Sequence, residues 1–302
     1  MTSFAPPTAP TEVSDGIFAW VQHDGTWWIN NAGFLVGDTG VVAVDACSTE
    51  ARTRALLAGI RSVTAQPVRT LVNTHHHGDH TFGNYLFEPA TIVGHERIRD
   101  AIRAWGQPRS APFWTEVDWG EIRLSPPNLT FTEGVDVWAG DLRCEVRHLG
   151  DRAHTDNDSI VWIPARRVLF TGDLAFNGGT PFLLQGSVTG ARRTVQRLVA
   201  LEPEVVVPGH GDVCGVEVLH DCAAYLDFVL ETARSARAAG LTPLEAAREV
   251  DLGGFADLLD TERIVGNLHR AYADLEDRSD LDLAAALADM ITVNGGPLTT
   301  HA

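Results

Sequence analysis

Asn73-Thr74-His75-His76-His77-Gly78-Asp79-His80, residues 73–80, is the stretch that decides how this chain folds and what chemistry it can carry out. It directly follows a short apolar run at residues 69–72 that is typical of a strand. Because residues two apart on an extended chain point the same way, His75 and His77 can face one metal ion while His76 points elsewhere. This spacing predicts metal ligands at the end of a strand.

The second half of the same stretch predicts a second metal ion. Gly78 allows the chain to turn, so that Asp79 and His80 reach a neighbouring position. Four ligands from one short turn cannot easily surround one ion, and their nitrogen and oxygen atoms suit zinc, with iron or manganese as acceptable alternatives. A polar loop that is merely rich in histidine remains an open alternative unless the rest of the chain supplies further ligands.

The rest of the chain offers three such ligands, each in a glycine-containing turn directly after an apolar, strand-like run. The turns are residues 150–155 after 142–149, residues 171–173 after 167–170, and residues 208–211 after 204–207. They present His154, Asp173 and His210. One such residue is usually a solvated loop residue, but four strand ends of this type in this order favour a common metal centre.

Taken together, these motifs resemble the metallo-β-lactamase fold over nearly the whole chain. The motifs are HxHxDH at 75–80, AHT at 153–155, TGD at 171–173 and PGHG at 208–211. The resemblance implies an α/β fold, a four-layer αββα sandwich with a helical C-terminal extension. Residues 1–215 are expected to form the metallo-β-lactamase-fold domain, and residues 216–302 the helical extension packed on the same domain.

The resemblance also implies two zinc ions and a ligand for every coordination position that this fold normally fills. The implied ligands are His75, His77 and His154 for one ion, Asp79, His80 and His210 for the other, and Asp173 as a bridge between both. Asp79 and Asp173 are the expected catalytic residues, and Asp45 is expected to orient a ligand imidazole from outside the metal shell. Family members that hydrolyse β-lactams typically lack the bridging aspartate, so β-lactam hydrolysis is not expected here.

Composition and charge argue against several other classes of protein. A chain of 302 residues with 44% hydrophobic side chains can bury a large core, and a net charge of −17 disfavours a nucleic-acid-binding surface. Residues 1–11 lack the basic start and apolar core of a signal peptide, and no apolar run approaches the ~20 residues of a membrane span. We therefore expect a cytoplasmic enzyme without a membrane partner. The four cysteines show no CxxC pairing and are expected to be free thiols.

Hydrophobic periodicity predicts strands and helices in an order that suits packed sheets with helices outside them. Strands are predicted at residues 16–23, 26–36, 41–44, 69–72, 91–93, 142–149, 159–163, 167–170 and 204–207. Helices are predicted at residues 49–61, 82–87, 96–105, 189–201, 216–239, 242–249, 261–274 and 281–291, of which the last four form the extension.

Residues 106–127 are expected to form a wall of the substrate pocket, because they are too rich in proline for a long helix and too apolar for a linker. The candidate substrate contacts are Phe113 and Trp114 from this stretch, Trp28 and Asn31 from the predicted strand 26–36, and Phe182, which follows the bridging ligand. Simple packing of the aromatic side chains onto the core is the alternative for each of them.

Two zinc ions in such a site acidify water and polarise a carbonyl oxygen, which is the chemistry of acyl hydrolysis. The same ions can stabilise the enolate of a β-dicarbonyl, which is the first step of an aldol condensation. Three further segments are similar to the metallo-β-lactamase-fold polyketide cyclases of aromatic type II pathways, such as the actinorhodin bifunctional cyclase-thioesterase. The segments are 117–122 with 126–128, 180–182 with 186–188, and 294–296.

This narrower resemblance implies a polyketide cyclase that closes and dehydrates a ring of an aromatic polyketide intermediate, with thioesterase activity as an addition. The substrate would be presented by an acyl carrier protein, in antibiotic biosynthesis, and the enzyme would form a homo-oligomer. Nucleic acid is not an expected partner.

A general thioester or lactone hydrolase, glyoxalase-II-like or acyl-lactone-cleaving, is the second interpretation, because such enzymes keep the bridging aspartate. A glyoxalase-II-like enzyme binds an anionic conjugate and requires basic side chains near its pocket, whereas residues 106–127 carry only Arg109 and Arg123. This difference favours a flat, aromatic substrate. A non-catalytic binding protein of the same fold is the third interpretation, but such a protein would have lost ligands and none is missing here.

Overall fold

The computed structural model describes residues 4–302, and within them the chain forms two β-sheets that face each other. The first sheet contains, in spatial order, β1 (Thr11–Ser14), β2 (Ile17–Trp20), β3 (Ala32–Val36), β4 (Val41–Val44), β5 (Val68–Val72), β6 (Thr91–His95) and β7 (Leu129–Phe131). The second contains β8 (Gly134–Ala139), β9 (Leu142–His148), β10 (Ser159–Ile163), β11 (Val168–Phe176) and β12 (Val205–His210). Neighbours from β1 to β4 are antiparallel and from β4 to β7 parallel, and the second sheet is antiparallel apart from the pair β11 and β12.

Helices cover the outer faces of both sheets. They are α1 (Glu50–Val63), α2 (Gly78–Thr81), α3 (Glu96–Trp105), α4 (Val188–Val199), α5 (Glu217–Ala238), α6 (Pro243–Glu249), α7 (Arg263–Leu275) and α8 (Leu283–Asn294). Leu56 of α1 belongs to a buried cluster with Phe34 and Leu71 on the outer face of the first sheet. Across residues 4–302 there is no helical segment with the length and hydrophobicity that a bilayer crossing demands.

A buried apolar layer separates the two sheets. Val44 and Val72 of the first sheet share one cluster with Val161 and Phe170 of the second. Strand β4 is buried along its whole length, because a strand inside a sheet that is covered on both faces has apolar side chains on both. The resulting order of helix, sheet, sheet and helix confirms the predicted four-layer αββα sandwich.

The C-terminal helices pack on the outer layer of the second sheet. Leu226 of α5 and Leu268 of α7 share a buried cluster with Leu198 of α4 and Leu169 of β11. The predicted start of α6 is accurate, since the side chain of Thr242 caps it in a capping box with Glu245. A helical C-terminal extension is therefore present, while a domain boundary after residue 215 stays a prediction.

The predicted strand 26–36 is wrong in its first half, because β3 begins only at Ala32 and residues 24–31 form a loop. Trp28 has a left-handed backbone with φ 68°, which a strand does not allow. Thr26 donates from its backbone N–H and its hydroxyl to the carboxylate of Asp24, at 3.2 and 2.6 Å. The strands β1, β7 and β8 were not predicted. Strands β1 and β7 have only four and three residues, whereas β8 carries the alternation of a half-buried strand and could have been predicted from it.

Candidate metal centre

Parallel strand pairs bring the predicted ligands to one edge of the sandwich. His75 and His77 follow β5, and His154 follows β9 by six residues. His210 is the last residue of β12, and Asp173 lies inside β11, which continues to Phe176 instead of ending before the TGD motif as the sequence suggested. Since β11 and β12 are parallel neighbours, their carboxyl halves present both ligands on the same side.

The seven side chains form two clusters that share one carboxylate. The ligand atoms of His75, His77, His154 and Asp173 all lie within 4.8 Å of one another, as do those of Asp79, His80, Asp173 and His210. Asp173 Oδ2 lies 3.3 Å from His154 Nε2 and 3.5 Å from His210 Nε2, while Asp173 Oδ1 lies 3.0 Å from His80 Nε2. The carboxylate of Asp173 therefore faces both clusters, which is the position of a bridging ligand.

Three of these ligand atoms are buried and make no hydrogen bond of good geometry: His75 Nε2, His80 Nε2 and Asp173 Oδ1, of which the last two lie 3.0 Å apart but are not aligned for one. A buried polar atom left unpaired costs about 1–3 kcal/mol, so three of them converging on one spot need a further binding partner. Imidazole nitrogens together with carboxylate oxygens suit zinc. The donor set and its unpaired atoms therefore fit a pair of metal ions.

Each cluster histidine makes a hydrogen bond to a group outside the cluster through the ring nitrogen that is not a ligand atom. The contacts are His75 Nδ1 to Thr74 Oγ1 at 3.1 Å, His80 Nδ1 to Asp45 Oδ2 at 2.8 Å, His154 Nδ1 to the Phe182 carbonyl at 2.5 Å, His210 Nδ1 to the Gly25 carbonyl at 3.0 Å, and His77 Nε2 to the side chain of Gln185. Asp45 also accepts from the backbone N–H and the hydroxyl of Thr74. Such partners fix the ring orientation of metal-binding histidines, and Asp45 lies where the sequence predicted it.

The histidines of the first cluster are electrically neutral near pH 7. Burial lowers the pKa of His77 and of His154 to about 4, and it lowers the pKa of His75 well below its usual range. Neutral imidazole is the form that binds metal ions, so this cluster is in its metal-binding protonation state.

In the second cluster charge attraction outweighs burial. Burial would raise the pKa of Asp173, but the surrounding imidazoles, His210 and His80 foremost, hold it well below its usual range. Burial would lower the pKa of His210 and His80, but Asp173 and the neighbouring carboxylates raise that of His210 to about 9 and that of His80 well above its usual range. Metal binding to this cluster would release the protons that these imidazoles carry.

His76 lies outside both clusters, as the alternation in the motif predicted. Its Nδ1 faces the side-chain amide of Asn157 at 3.1 to 3.3 Å. Burial lowers the pKa of His76 to about 4, so the ring is neutral near pH 7.

Tryptophan side chains surround a small cavity of about 50 Å³ that opens beside the clusters. Its lining consists of Trp27, Trp28, Trp105 and Trp114 together with His77, Gly78 and Asp79. Trp28 contacts Trp114 edge to face, with ring centroids 5.1 Å apart. Two of the predicted substrate contacts, Trp28 and Trp114, thus lie next to Asp79, although Trp28 reaches this position from a loop and not from a strand.

The other three predicted substrate contacts lie elsewhere. Asn31 has a structural role, because its buried amide donates to the carbonyls of Pro208 and Gly211 at 3.0 and 2.6 Å and thereby holds the turn after β12, and its contact with substrate stays a prediction. Phe113 packs edge to face behind Trp114. Phe182 packs on the ring of Trp27, and its carbonyl group orients His154.

The sequence pattern of the metallo-beta-lactamase superfamily matches residues 25–210, which contain all seven clustered side chains and the second-sheet strands that carry them. The chain belongs to the metallo-beta-lactamase superfamily. The match ends at the last ligand, before the C-terminal helices begin.

Several named proteins are similar to this chain over different lengths. A metallo-beta-lactamase type 2 from Bacteroides fragilis is 25% identical over 232 residues, which cover 74% of this chain and 86% of the relative. The alpha subunit of a 2,4-dinitroanisole O-demethylase from a Nocardioides species is 28% identical over 193 residues, and a hydroxyacylglutathione hydrolase from Rhodospirillum rubrum is 30% identical over 140 residues. These matches span 54% and 45% of the two relatives' lengths, so the chain covers about half of each.

A solved metallo-beta-lactamase from Pontibacter korlensis superposes on 72% of this chain and 98% of its own length, with a TM-score of 0.60 and 21% identity. At this identity the similarity establishes the shared fold.

Two glycines of the superfamily motifs leave room for the metal ligands. A Cβ at Gly209 would lie 2.0 Å from Asp173 Oδ1, and a Cβ at Gly172 would lie 2.5 Å from Thr74 Oγ1. In the sequence these glycines are only turn signals. Trp105 was not predicted as a cavity wall, although it ends the predicted helix 96–105.

Proposed function

We propose that this chain is a two-zinc enzyme that hydrolyses an acyl bond, a thioester foremost, of a substrate with a flat aromatic group. The observation that carries the proposal is the carboxylate of Asp173, which faces two clusters of imidazoles and, together with His75 Nε2 and His80 Nε2, holds a buried ligand atom that makes no hydrogen bond. Two bound zinc ions would supply a Lewis acid for the carbonyl oxygen and would bring the pKa of water close to neutral.

The chain's own residues have separate tasks in this proposal. Asp173 holds the two sites at a fixed separation, and Asp45 keeps the ring of His80 in place. Asp79 belongs to the second cluster and also lines the cavity, so its carboxylate lies where the acyl group would enter. The four tryptophans around that cavity can stack on an aromatic group and exclude bulk water from the reacting carbonyl.

Membership of the superfamily supports hydrolysis, and the names of two relatives agree with an acyl or aromatic substrate. One relative is named as a hydrolase of hydroxyacylglutathione and another as an O-demethylase of 2,4-dinitroanisole, a nitroaromatic ether. Since the chain spans only about half of either relative, their substrates serve here as a guide to chemical class.

A polyketide cyclase is the second candidate, because the tryptophans beside Asp79 present aromatic surface to a fused-ring substrate that would extend beyond the small cavity. In that case the ions would polarise a 1,3-dicarbonyl group, and an aspartate of the second cluster would accept the proton removed from the carbon between the two carbonyls. An acyl carrier protein would present this substrate. The support for this candidate beyond the cavity is the resemblance of segments 117–128, 180–188 and 294–296.

Product analysis by mass spectrometry tests both candidates. Zinc-loaded protein is incubated with the 2-naphthoyl thioester of N-acetylcysteamine and, separately, with a thioester-bound bicyclic poly-β-ketone. Release of naphthoic acid supports the hydrolase, and a cyclic product that has lost one water supports the cyclase. Protein with His75→Ala and His80→Ala is the control that lacks two of the metal ligands. If wild-type protein converts neither substrate faster than this control does, both candidates are wrong.

A further inference from the structure

The cavity beside Asp79 is too small for a whole substrate. Its volume is about 50 Å³, whereas pockets for organic ligands typically measure ~300–1,000 Å³. A second cavity of about 380 Å³ adjoins it, and Trp105 lines both of them. The ring of Trp105 lies 6.0 Å from that of His77 and 6.3 Å from that of His76.

We propose that this second cavity, called the side cavity below, binds the apolar part of the substrate that lies remote from the reacting carbonyl. Trp105, which stands between the two cavities, then determines which substrates fit. The inference rests on the proposed function, because it assigns part of the same substrate to a second place. The side cavity is connected to the metal site through Gln185, which lines it and contacts the ring of His77.

The walls of the side cavity select for an uncharged apolar group. Ala101 and Ala104 of α3 form one apolar wall, and Leu184, Leu281 and Leu283 add further apolar surface. The polar part of the lining includes the carboxylate of Asp156, which would repel an anion. Arg152 also lines the cavity, but its guanidinium donates to the carbonyl of Gln185 at 2.7 and 3.0 Å and to that of Ser279 at 2.8 Å. Because these carbonyls occupy the guanidinium, an aryl or alkyl group fits the cavity better than an anion does.

Trp105 is placed so that it can move between the two cavities. It is the last residue of α3, and its side chain remains exposed although it lies beside buried histidines. Gly106 follows with a φ of 78°, and no heavy atom lies within 4 Å of where its Cβ would be, so the chain beyond Trp105 is loosely packed. A change of the Trp105 rotamer would therefore join the two cavities without displacing a packed element.

A side chain that fills the side cavity should lower kcat/KM for large substrates and leave kcat/KM for small substrates nearly unchanged. We expect Ala101→Phe to lower kcat/KM for the 2-naphthoyl thioester of N-acetylcysteamine by about tenfold or more, and to leave that for the acetyl thioester within about twofold. Ala104→Phe, which adds a ring to the same wall, should act alike. Ala58→Phe places the same ring on an exposed position of α1 that does not line the cavity, and should change neither value.

Trp105→Ala should have the opposite effect and raise the ratio of kcat/KM for the naphthoyl thioester to that for the acetyl thioester. Unchanged naphthoyl kinetics in both filled variants, or equal losses with both thioesters in variants whose circular dichroism matches wild type, would overturn the inference.

A binding measurement separates this inference from the proposed function. The probe is the naphthylmethyl thioether of N-acetylcysteamine, which cannot be hydrolysed, and its binding is followed by calorimetry on metal-loaded protein. If neither thioester turns over, the proposed function fails, yet a Kd that rises in Ala101→Phe and not in Ala58→Phe still supports the side cavity. A probe that binds wild type and all these variants equally, or that does not bind wild type at all, would overturn it.

Discussion

Asp173 is the side chain that both clusters need, because its two oxygens face imidazoles of different clusters at 3.0 to 3.5 Å. We expect Asp173→Asn to lower turnover by more than about 100-fold and to reduce the bound metal, since it weakens both sites at once. His76→Ala should lose less than about tenfold, because His76 belongs to neither cluster. Steady-state rates and elemental analysis are measured for both variants. Equal losses of activity with full metal content in both would mean that the side chain of His76 also faces the reacting groups.

Substitution of Gly209 should lower activity nearly as much as substitution of Asp173, the ligand beside it. In Gly209→Ala the new methyl group would lie 2.0 Å from Asp173 Oδ1 and 2.7 Å from the carbonyl carbon of Gly172, so the carboxylate must move. We expect less than two bound metal ions per chain and a loss of activity. Gly254→Ala is the matched control, because no heavy atom lies within 4 Å of its Cβ position. A Gly209→Ala protein with normal metal content and rate would contradict this placement of Asp173.

At the scale of residues, the sequence could predict the clustered side chains because each belongs to a short motif with its own spacing. The contacts of Asn31 could not be predicted in this way. Its amide is satisfied by carbonyls at positions 208 and 211, about 180 residues further along the chain, and nothing near it in sequence indicates that contact. Trp105 was missed for the same reason, since its neighbours in the two cavities come from distant segments.

Among the elements, α3 begins at a histidine that connects the two sheets. His95 Nδ1 accepts from the backbone N–H of Arg97 at 3.3 Å, and its ring lies 4.3 Å from that of His148 at the end of β9. Burial, with His148 and Arg97 as further causes, lowers the pKa of His95 to about 4. Because the folded-state pKa lies below the ordinary 6.5, the folded chain resists protonation of His95. The stability that neutral His95 contributes is present above pH 6.5 and is lost as the pH falls towards 4.

His95→Asn should remove this dependence and keep the cap, since asparagine offers an acceptor at the same position. We expect the free energy of unfolding, measured with urea on metal-free protein, to fall less steeply between pH 6.5 and 4 in the variant than in wild type. The histidines of the metal clusters are the same in both proteins, so the difference reports on His95 and its contact with His148. Identical pH slopes would show that His95 is protonated as easily in the folded chain as in the unfolded one.

Helices were easier to predict than the loops that form the cavity. The bounds of α3 match the predicted range 96–105, because its apolar spacing and its end at a glycine are local signals. The loop 24–31 was misread as a strand since its shape depends on distant partners. The Arg263 guanidinium lies 4.1 Å from the ring of Trp27, Glu262 accepts from Trp27 Nε1 at 2.6 Å, and the Thr300 hydroxyl donates to the Trp27 carbonyl at 2.8 Å.

For the whole molecule, the layer order could be predicted from the alternation of strands and helices, but the way in which the C-terminal segment closes the structure could not. Leu298 pairs with the backbone of Phe113 and Thr115, in the stretch that forms the cavity wall. The buried guanidinium of Arg52 donates to the carbonyls of Phe4 and His301 at 2.7 and 2.9 Å, which joins both ends of the described chain to α1. The position of the aromatic wall is therefore set in part by residues near 298, which lie about 90 positions beyond the end of the superfamily match at residue 210.

The metal clusters draw ligands from both sheets, since His75 and His77 follow β5 of the first sheet while His154, Asp173 and His210 belong to the second. Metal binding should therefore stabilise the whole sandwich. Each ion present at 100 times its Kd adds about 2.7 kcal/mol, so two ions add about 5.4 kcal/mol, and at about 2–4 °C per kcal/mol their removal by a chelator should lower Tm by roughly 10–20 °C. Protein with His75→Ala and His80→Ala should show little response to the chelator and should bind fewer ions than the two expected of wild type. A wild-type stoichiometry that stays at or below one after reconstitution, or a Tm that the chelator leaves unchanged, would rule out the two-metal centre.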